Sequence, residues 1–307
     1  MMGVTPQDTM KSPETNAHIQ SVISDICGFD GFEGMWDWLS MVEAMGCAVE
    51  IRPGMGAVTV SHVLSAEPDA TIEVSPDEDP RAVANKNTIS ILLAGDKFIY
   101  ATVPGVFTLS AELRGLEQLM MDSILERDVY RDILKRTNQV LKGYIAFYDD
   151  VADGIMVCES TGSPTLMDPI SLRSDVVPIN SELFNVVEGC RMLHNCGDVT
   201  QLLPDIRTYG LDLLSIHDPS LEESMESFDC CISGGISTVS SLLNDTPDQT
   251  INDIIYAMGS IEGNQERFIL SASCDISPST QLGNVSVWHE IVNNGSTTNQ
   301  YYEILSK

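Results

Sequence analysis

The sequence is poor in positive charge, in aromatic residues and in long apolar runs. Its 307 residues contain 16 Lys and Arg against 45 Asp and Glu, a formal net charge of −29. Phosphate-backbone binding needs clustered basic side chains, so nucleic acid is excluded as a partner, and an anionic membrane surface is disfavoured. No run approaches the roughly 18 apolar residues of a membrane span, and the first twenty residues carry no apolar signal segment. We therefore predict a cytoplasmic protein with no membrane partner.

The order of the predicted elements indicates the fold. Five consecutive strand–helix pairs in the second half are typical of βαβ units, and they favour a barrel over an open sheet. We predict an α/β fold, a (β/α)8 TIM-type barrel, with a polar tail at 1–18 and a single catalytic domain at 19–307. The predicted strands are 32–36, 48–52, 57–63, 88–92, 98–103, 155–159, 191–196, 211–217, 230–234 and 267–274. The predicted helices are 18–27, 37–45, 112–125, 128–149, 180–188, 199–209, 221–225 and 247–259.

The densest group of reactive side chains ends one of these predicted strands. His194 and Cys196 are two residues apart, so they project from the same face of the strand before Gly197 turns the chain. The C-terminal ends of barrel strands form the mouth in which barrel enzymes build their active sites. Imidazole beside thiolate suits zinc, although an isolated pair of this kind is weak evidence.

Two later predicted strands end in further zinc-binding side chains, His217 and Cys274. Taken alone, His217 is a polar residue at a strand end, and Cys274 is a small buried side chain. If the strands belong to one barrel, however, His194, Cys196 and Cys274 meet at one rim, with or without His217. The result would be a zinc site of two sulfurs and one or two nitrogens.

Several stretches resemble one family of enzymes. The runs LHNCGDVTQLLPDI (193–206) and ILSASCDISPSTQLGNV (269–285) look like the two zinc motifs of the methylcobamide:coenzyme M methyltransferases. These enzymes belong to the uroporphyrinogen decarboxylase superfamily. The runs VEAMGCAVEI (42–51) and SPTLMDPISL (163–172) are similar to further stretches of the same enzymes.

This resemblance implies a barrel of the uroporphyrinogen decarboxylase type with zinc deep in its C-terminal mouth. His194, Cys196 and Cys274 would be the zinc ligands. The implied reaction is a step of methanogenesis chemistry, in which a methyl group passes from a methylated corrinoid on a partner protein to a thiol, with coenzyme M as the expected thiol. Coordination to zinc would remove the thiol proton and make the sulfur nucleophilic.

The sequence departs from the family pattern in two places. His217 stands where these enzymes usually have a glutamate, and four protein ligands would resemble a closed structural zinc site. We expect the His217 imidazole to occupy or approach the fourth zinc position and to yield to the substrate thiol. We also expect a shortened N-terminal segment, because residues 1–20 show no first barrel strand.

Three further residues are weaker candidates. Glu159 ends a predicted strand where the family often has an acid, and we assign it with His217 to the catalytic group, although an exposed loop carboxylate is an equal alternative. Tyr100 on its strand and Asp275 after Cys274 are predicted to face the cofactor-binding pocket.

Two other functions stay open beside the methyltransferase. A uroporphyrinogen decarboxylase-like enzyme would need arginines lining its cleft, and this chain has few. A zinc-containing binding protein without catalysis could use the same barrel.

Overall fold

The computed structural model describes residues 9–10, 12–35, 37–52, 56–217, 220–261 and 263–294. Seven strands form one sheet in the order β1-β4-β5-β6-β7-β8-β9, with every neighbouring pair parallel. The strands are β1 Gly31–Glu33, β4 Phe98–Pro104, β5 Gly154–Glu159, β6 Cys190–Asn195, β7 Leu213–Ser215, β8 Cys231–Ile236 and β9 Phe268–Ala272. The predicted strands 48–52 and 57–63 are present as an antiparallel pair, β2 Ala48–Arg52 and β3 Gly56–Ser61.

Helices follow most of the strands. They are α1 Pro13–Cys27, α2 Leu39–Ala44, α3 Pro80–Leu92, α4 Val106–Arg114, α5 Leu116–Leu125, α6 Arg127–Asp149, α7 Pro169–Ser171, α8 Val177–Phe184, α9 Leu203–Ile206, α10 Leu221–Ser227, α11 Pro247–Ser260 and α12 Leu282–Asn294. Among the described helices, none combines the length and the apolar character that a membrane crossing requires.

The sheet is curled, which brings its two edges towards each other. In a flat sheet, β1 and β9 would lie about 29 Å apart, because each of the six steps between them spans about 4.8 Å. Glu33 at the end of β1 and Asp275 just after β9 are nevertheless close enough for the Asp275 charge to raise the pKa of Glu33. The predicted TIM-type α/β fold is therefore confirmed, with seven parallel strands in the part of the chain that is described.

The two ends of the described chain also meet outside the sheet. The last helix, α12, packs against the first helix, α1. The rings of Phe29, just before β1, and Trp288 in α12 lie 5.9 Å apart between centroids. Burial of these apolar groups stabilises the curled arrangement without strand pairing between β1 and β9 among the described residues.

The prediction of a long amphipathic helix at 128–149 is confirmed by α6. Its apolar residues recur at the helical period and form a fully buried face that includes Ile133, Leu134, Leu141 and Ile145. This regular pattern needs no distant contact to be recognised, which is why the sequence predicted it well.

Two predicted elements are wrong. The segment 88–92 is the last part of helix α3, whose start is capped by Asp79 through hydrogen bonds from the Arg81 and Ala82 amides. The β-branched residues near its end suggested a strand, but the cap and tertiary packing favour a helix. The segment 112–125 belongs to two helices, because Gly115 between them adopts a φ of +88° that interrupts the helix.

The first helix begins earlier than predicted. Ser12 caps it by accepting a hydrogen bond from the Thr15 amide at 3.2 Å, so α1 starts at Pro13. Residues 13–18 of the predicted polar tail are therefore helical. Residues 1–8 and 11 of that tail lie outside the described residues.

Candidate metal centre

Three of the predicted zinc ligands lie together at the C-terminal ends of the strands. The ligand atoms of His194, Cys196 and Cys274 are all within 4.8 Å of one another. His194 is on β6, Cys196 follows that strand, and Cys274 lies two residues beyond β9. The turn after Cys196 uses Gly197 at a φ of +74°, as its position predicted. The barrel thus joins residues that are 78 positions apart in the chain.

The spacing of these three side chains matches a metal site. The two sulfurs are 3.6 Å apart, and His194 Nε2 is 3.2 Å from the Cys196 sulfur. Ligands at tetrahedral zinc distances would have a sulfur–sulfur separation of about 3.8 Å and a sulfur–nitrogen separation of about 3.6 Å. Small side-chain movements would therefore suffice to hold an ion, and the set of two thiols and one imidazole is chemically suited to zinc.

The pKa values of the neighbouring Cys196 and Cys274 thiols shift in opposite directions. Hydrogen bonds from Cys196 and His194 lower the pKa of Cys274, although burial opposes this effect. The same contact with Cys274, followed by burial, raises the pKa of Cys196. The pair therefore favours a Cys274 thiolate that accepts a hydrogen bond from the Cys196 thiol, and a thiolate is the form that binds metals.

His194 is oriented by a serine on the neighbouring strand. His194 Nδ1 lies 3.0 Å from the Ser215 hydroxyl, and the two residues are register partners on β6 and β7. When Nδ1 donates its proton to this hydroxyl, Nε2 is left with a free lone pair that a metal ion can take. Ser215 is therefore a positioning residue for the metal centre.

We expect Ser215→Ala to weaken zinc binding by about tenfold, because the imidazole loses the contact that fixes its orientation. Competition with a chromophoric chelator measures this change. The matched control is Ser233→Ala, since Ser233 is also on a barrel strand but pairs with Ser271 at 2.7 Å. Equal zinc affinities for the two variants would refute the positioning role of Ser215.

His217 lies outside the group of three ligand atoms. Strand β7 ends at Ser215, two residues earlier than the strand prediction required, so the alternation of faces does not extend to His217. The His217 side chain is exposed. Ser215, the last residue of β7, contacts His194. The role of His217 as a zinc ligand and catalytic residue stays a prediction.

Glu159 is buried and fully engaged by hydrogen bonds. It accepts the amides of Phe107 and Thr108 at 3.2 and 2.9 Å, the Thr108 hydroxyl at 2.5 Å and the Asn180 amide at 3.1 Å. It also accepts the Gly162 amide at 3.3 Å.

The Glu159 carboxylate therefore holds the N-terminus of α4 against the end of β5, where the helix dipole favours negative charge. Gly105 makes this close approach possible, since a Cβ at that position would lie 2.3 Å from the carboxylate. These contacts describe a structural anchor, and a catalytic role for Glu159 stays a prediction.

Asp275 directly follows Cys274, and its charge reaches the Tyr100 phenol on β4. The Tyr100 ring packs with Met156 and Met192 inside the barrel, and burial with the nearby Glu33 raises the pKa of its phenol well above its usual range. Partial burial and the Cys274 sulfur raise the pKa of the Asp275 carboxyl, although His194 opposes the rise. That Tyr100 and Asp275 face the pocket and bind a cofactor stays a prediction.

The sequence reasoning missed Glu33. Its carboxylate lies at the end of β1, beside Tyr100 in the strand register, and accepts a hydrogen bond from the Thr102 hydroxyl at 2.8 Å. Burial, with a contribution from Asp275, raises the pKa of Glu33 to about 7, while Thr102 and His194 oppose the rise. No local motif marks Glu33, since only the curl of the sheet brings it to the centre.

The raised pKa of Glu33 predicts a pH-dependent cost to stability in the metal-free protein. The unfolded carboxyl loses its proton at its ordinary pKa of 4.5, and the folded one only near 7, so the unfolding free energy falls across this window. We expect the unfolding free energy of Glu33→Gln to exceed that of the wild type by about 1 kcal/mol at pH 8 and by much less at pH 5. Urea denaturation at both pH values, with the exposed Glu117→Gln as control, measures this. A stability difference independent of pH would contradict the prediction.

The fold and the site define a TIM-type α/β barrel with a His/Cys/Cys group at the C-terminal ends of its strands, and comparison with known proteins supports the fold. Residues 1–295 match the model of the family described as Uroporphyrinogen decarboxylase (URO-D). The chain belongs to this family.

The relatives and a solved structure agree with that assignment. The chain is 23% identical over 294 residues to the methylcobamide:CoM methyltransferase MtaA of Methanosarcina barkeri, covering 92% of this chain and 85% of the relative. It is 20% identical over 279 residues to a methylated-thiol–coenzyme M methyltransferase of Methanosarcina mazei, covering 89% and 74%. The structure of a methyltransferase from Methanosarcina mazei matches with a TM-score of 0.84 and 21% identity, over 94% of this chain and 88% of the other. The family resemblance predicted from the motifs is confirmed.

Proposed function

We propose that the protein is a zinc-dependent methyltransferase that moves a methyl group from a methylated corrinoid protein to a thiol. Coenzyme M, which appears in the names of the relatives, is the first acceptor to test. The observation that carries the proposal is the convergence of His194, Cys196 and Cys274 within 4.8 Å at the C-terminal ends of the strands. This is the end at which barrel enzymes carry out their chemistry.

Contacts within the protein favour the forms of these side chains that bind a metal ion. A zinc ion bound there would lower the pKa of an incoming thiol and hold it as a thiolate. Cys274 is already favoured as a thiolate, and Ser215 holds His194 with Nε2 towards the cysteines. Two cysteinates would cancel the charge of the ion, so the sulfur of the acceptor would remain electron-rich and nucleophilic.

The proposed transfer is a displacement at the methyl carbon. A bond forms between the acceptor sulfur and this carbon, while the cobalt–carbon bond breaks and leaves its electron pair on cobalt. The thiol proton is released when the thiolate forms. Because the corrinoid is held on a separate protein, the barrel mouth must also serve as a docking surface for that partner.

The direct test uses methylcobalamin as the donor and zinc-loaded protein. Methyl transfer to coenzyme M is expected to consume methylcobalamin, which absorbance follows, and to yield the methyl thioether, which mass spectrometry detects. Metal-free protein should be inactive and should regain activity with zinc. Zinc-loaded protein that methylates no thiol would overturn the proposal and would favour a binding protein, and decarboxylation of a porphyrinogen would favour the other enzyme of this superfamily.

A further inference from the structure

A cavity of about 390 Å³ is lined by residues of α2, β3, α4 and α5. Its volume falls in the range of roughly 300–1,000 Å³ that is usual for small-molecule sites. Its wall is mostly apolar, with Trp38 and Leu39 at the start of α2, Val58 on β3 and Leu116 at the start of α5. None of the three side chains of the metal group lines it. The cavity is therefore a candidate site separate from the metal group.

Hydrogen bonds fasten the segment that follows β3 to the end of α4. The Leu64 amide donates to the Leu113 carbonyl at 2.8 Å, and His62 Nδ1 lies 2.6 Å from the Glu112 carbonyl. The His62 ring lies against Gly115, where a Cβ would be 3.4 Å from Cδ2 of the ring. The chain turns there at a φ of +88°, so that α4 and α5 meet at this point. These contacts hold His62 in the wall of the cavity.

The imidazole of His62 offers a hydrogen-bond acceptor to a ligand. A carbonyl oxygen only accepts, so Nδ1 carries the proton in the contact with Glu112. In the neutral ring Nε2 then presents a lone pair. No described residue donates a hydrogen bond to Nε2. A ligand with an N–H or O–H group therefore finds an acceptor in the cavity wall.

The Thr59 hydroxyl is a second polar group of the cavity. Its oxygen is buried and makes no hydrogen bond to another described residue. Side chains two residues apart in a strand share a face, so Thr59 faces the same way as Ala57, which packs against the main core. A buried polar atom that makes no hydrogen bond lowers stability, and a ligand that bonds to it removes that cost.

We propose that this cavity binds a small aromatic N-heterocycle, a second ligand besides the substrates of methyl transfer. The N–H of the ring donates to His62 Nε2, and an unprotonated ring nitrogen accepts from the Thr59 hydroxyl. Trp38 and the aliphatic side chains of the wall contact the ring itself. Glu112 also lines the cavity, so an anionic ring is disfavoured. An apolar wall with a few polar groups that orient the ligand is the usual arrangement of a small-molecule site.

The test compares three fused rings of the same size, namely benzofuran, indole and benzimidazole. Benzofuran has no N–H, indole has one, and benzimidazole adds an unprotonated nitrogen. Titration calorimetry of the purified full-length protein at pH 8 gives the three dissociation constants. We expect indole to bind at least about fivefold more tightly than benzofuran, and benzimidazole about threefold more tightly than indole. Benzofuran binding as tightly as indole, or no measurable binding of any ring, would overturn the proposal. Benzimidazole binding no more tightly than indole would refute the contact with Thr59.

Two variants isolate the two polar groups. In His62→Asn the amide nitrogen replaces Nδ1 as the donor to the Glu112 carbonyl, and Nε2 is lost. This variant should bring the affinities for indole and benzofuran to within about twofold of each other. The control, His18→Asn at an exposed position of α1, should leave their ratio unchanged. Thr59→Val keeps the shape of the side chain and should remove only the gain of benzimidazole over indole. Unchanged ratios in the folded variants would refute the roles of His62 and Thr59.

The NMR signals of the histidines locate the ring within the protein. The ring C–H signals of His62, assigned by their loss in His62→Asn, should shift on adding indole, while those of the exposed His18 stay in place. The same shift with benzimidazole distinguishes the cavity from the metal group, since a ring nitrogen can also bind zinc. Binding that leaves the His62 signals in place would put the ring elsewhere and overturn the proposal. If His62→Asn does not fold, isotope labelling assigns the signals, and the three rings on the unaltered protein decide.

Discussion

Cys196→Ser and Cys274→Ser are each expected to lower the zinc content of the purified protein from about one ion per chain to almost none. Both sulfurs lie in the group whose ligand atoms are within 4.8 Å of one another, and serine is a poor zinc ligand. Metal analysis after dialysis measures the loss, and methyl transfer from methylcobalamin should disappear with the metal.

The matched control is Cys230→Ser, because Cys230 is half-buried but precedes β8 at the other end of the sheet. This variant should keep its zinc. Full zinc retention by both Cys196→Ser and Cys274→Ser would place the metal elsewhere and would contradict the proposed site. Loss of zinc from the control as well would indicate a general effect on folding.

Glu159→Ala is expected to lower the free energy of unfolding by about 3–5 kcal/mol. The substitution removes the acceptor of the Phe107 and Thr108 amides and of the Asn180 side chain, all of them buried. These donors cannot reach water in the folded protein, so each would carry the cost of an unmade hydrogen bond. Chemical denaturation with and without zinc measures the effect.

Glu182→Ala serves as the control for loss of a hydrogen-bonded glutamate. Glu182 is exposed and binds Lys142 at 2.6 Å, so its removal should cost less than about 1 kcal/mol. A Glu159→Ala variant with unchanged stability but abolished methyl transfer would contradict the anchoring role. That outcome would instead support the catalytic role predicted from the sequence.

Local periodicity accounts for what the sequence determined by itself. The two-residue repeat of a strand is enough to predict that His194 and Cys196 face the same way, and the helical period of apolar residues is enough to predict α6. The alternation of helices and strands predicted the barrel class, which in turn placed Cys274 at the same rim. These features depend on residues within a few positions of one another or on the order of elements along the chain.

Tertiary structure decided which side chains surround those ligands. Ser215 reaches His194 Nδ1 only because β6 and β7 pair in the observed register. Glu159 was an acid at a strand end, and the fold supplies its five hydrogen bonds, three from α4, one from Asn180 on α8 and one from the Gly162 amide. Glu33 carried no signal at all, because it reaches the centre only through the curl of a sheet whose first and last strands are more than 200 residues apart. Contacts over such distances depend on the curvature of the sheet and on the packing of whole elements, which no local pattern of residues encodes.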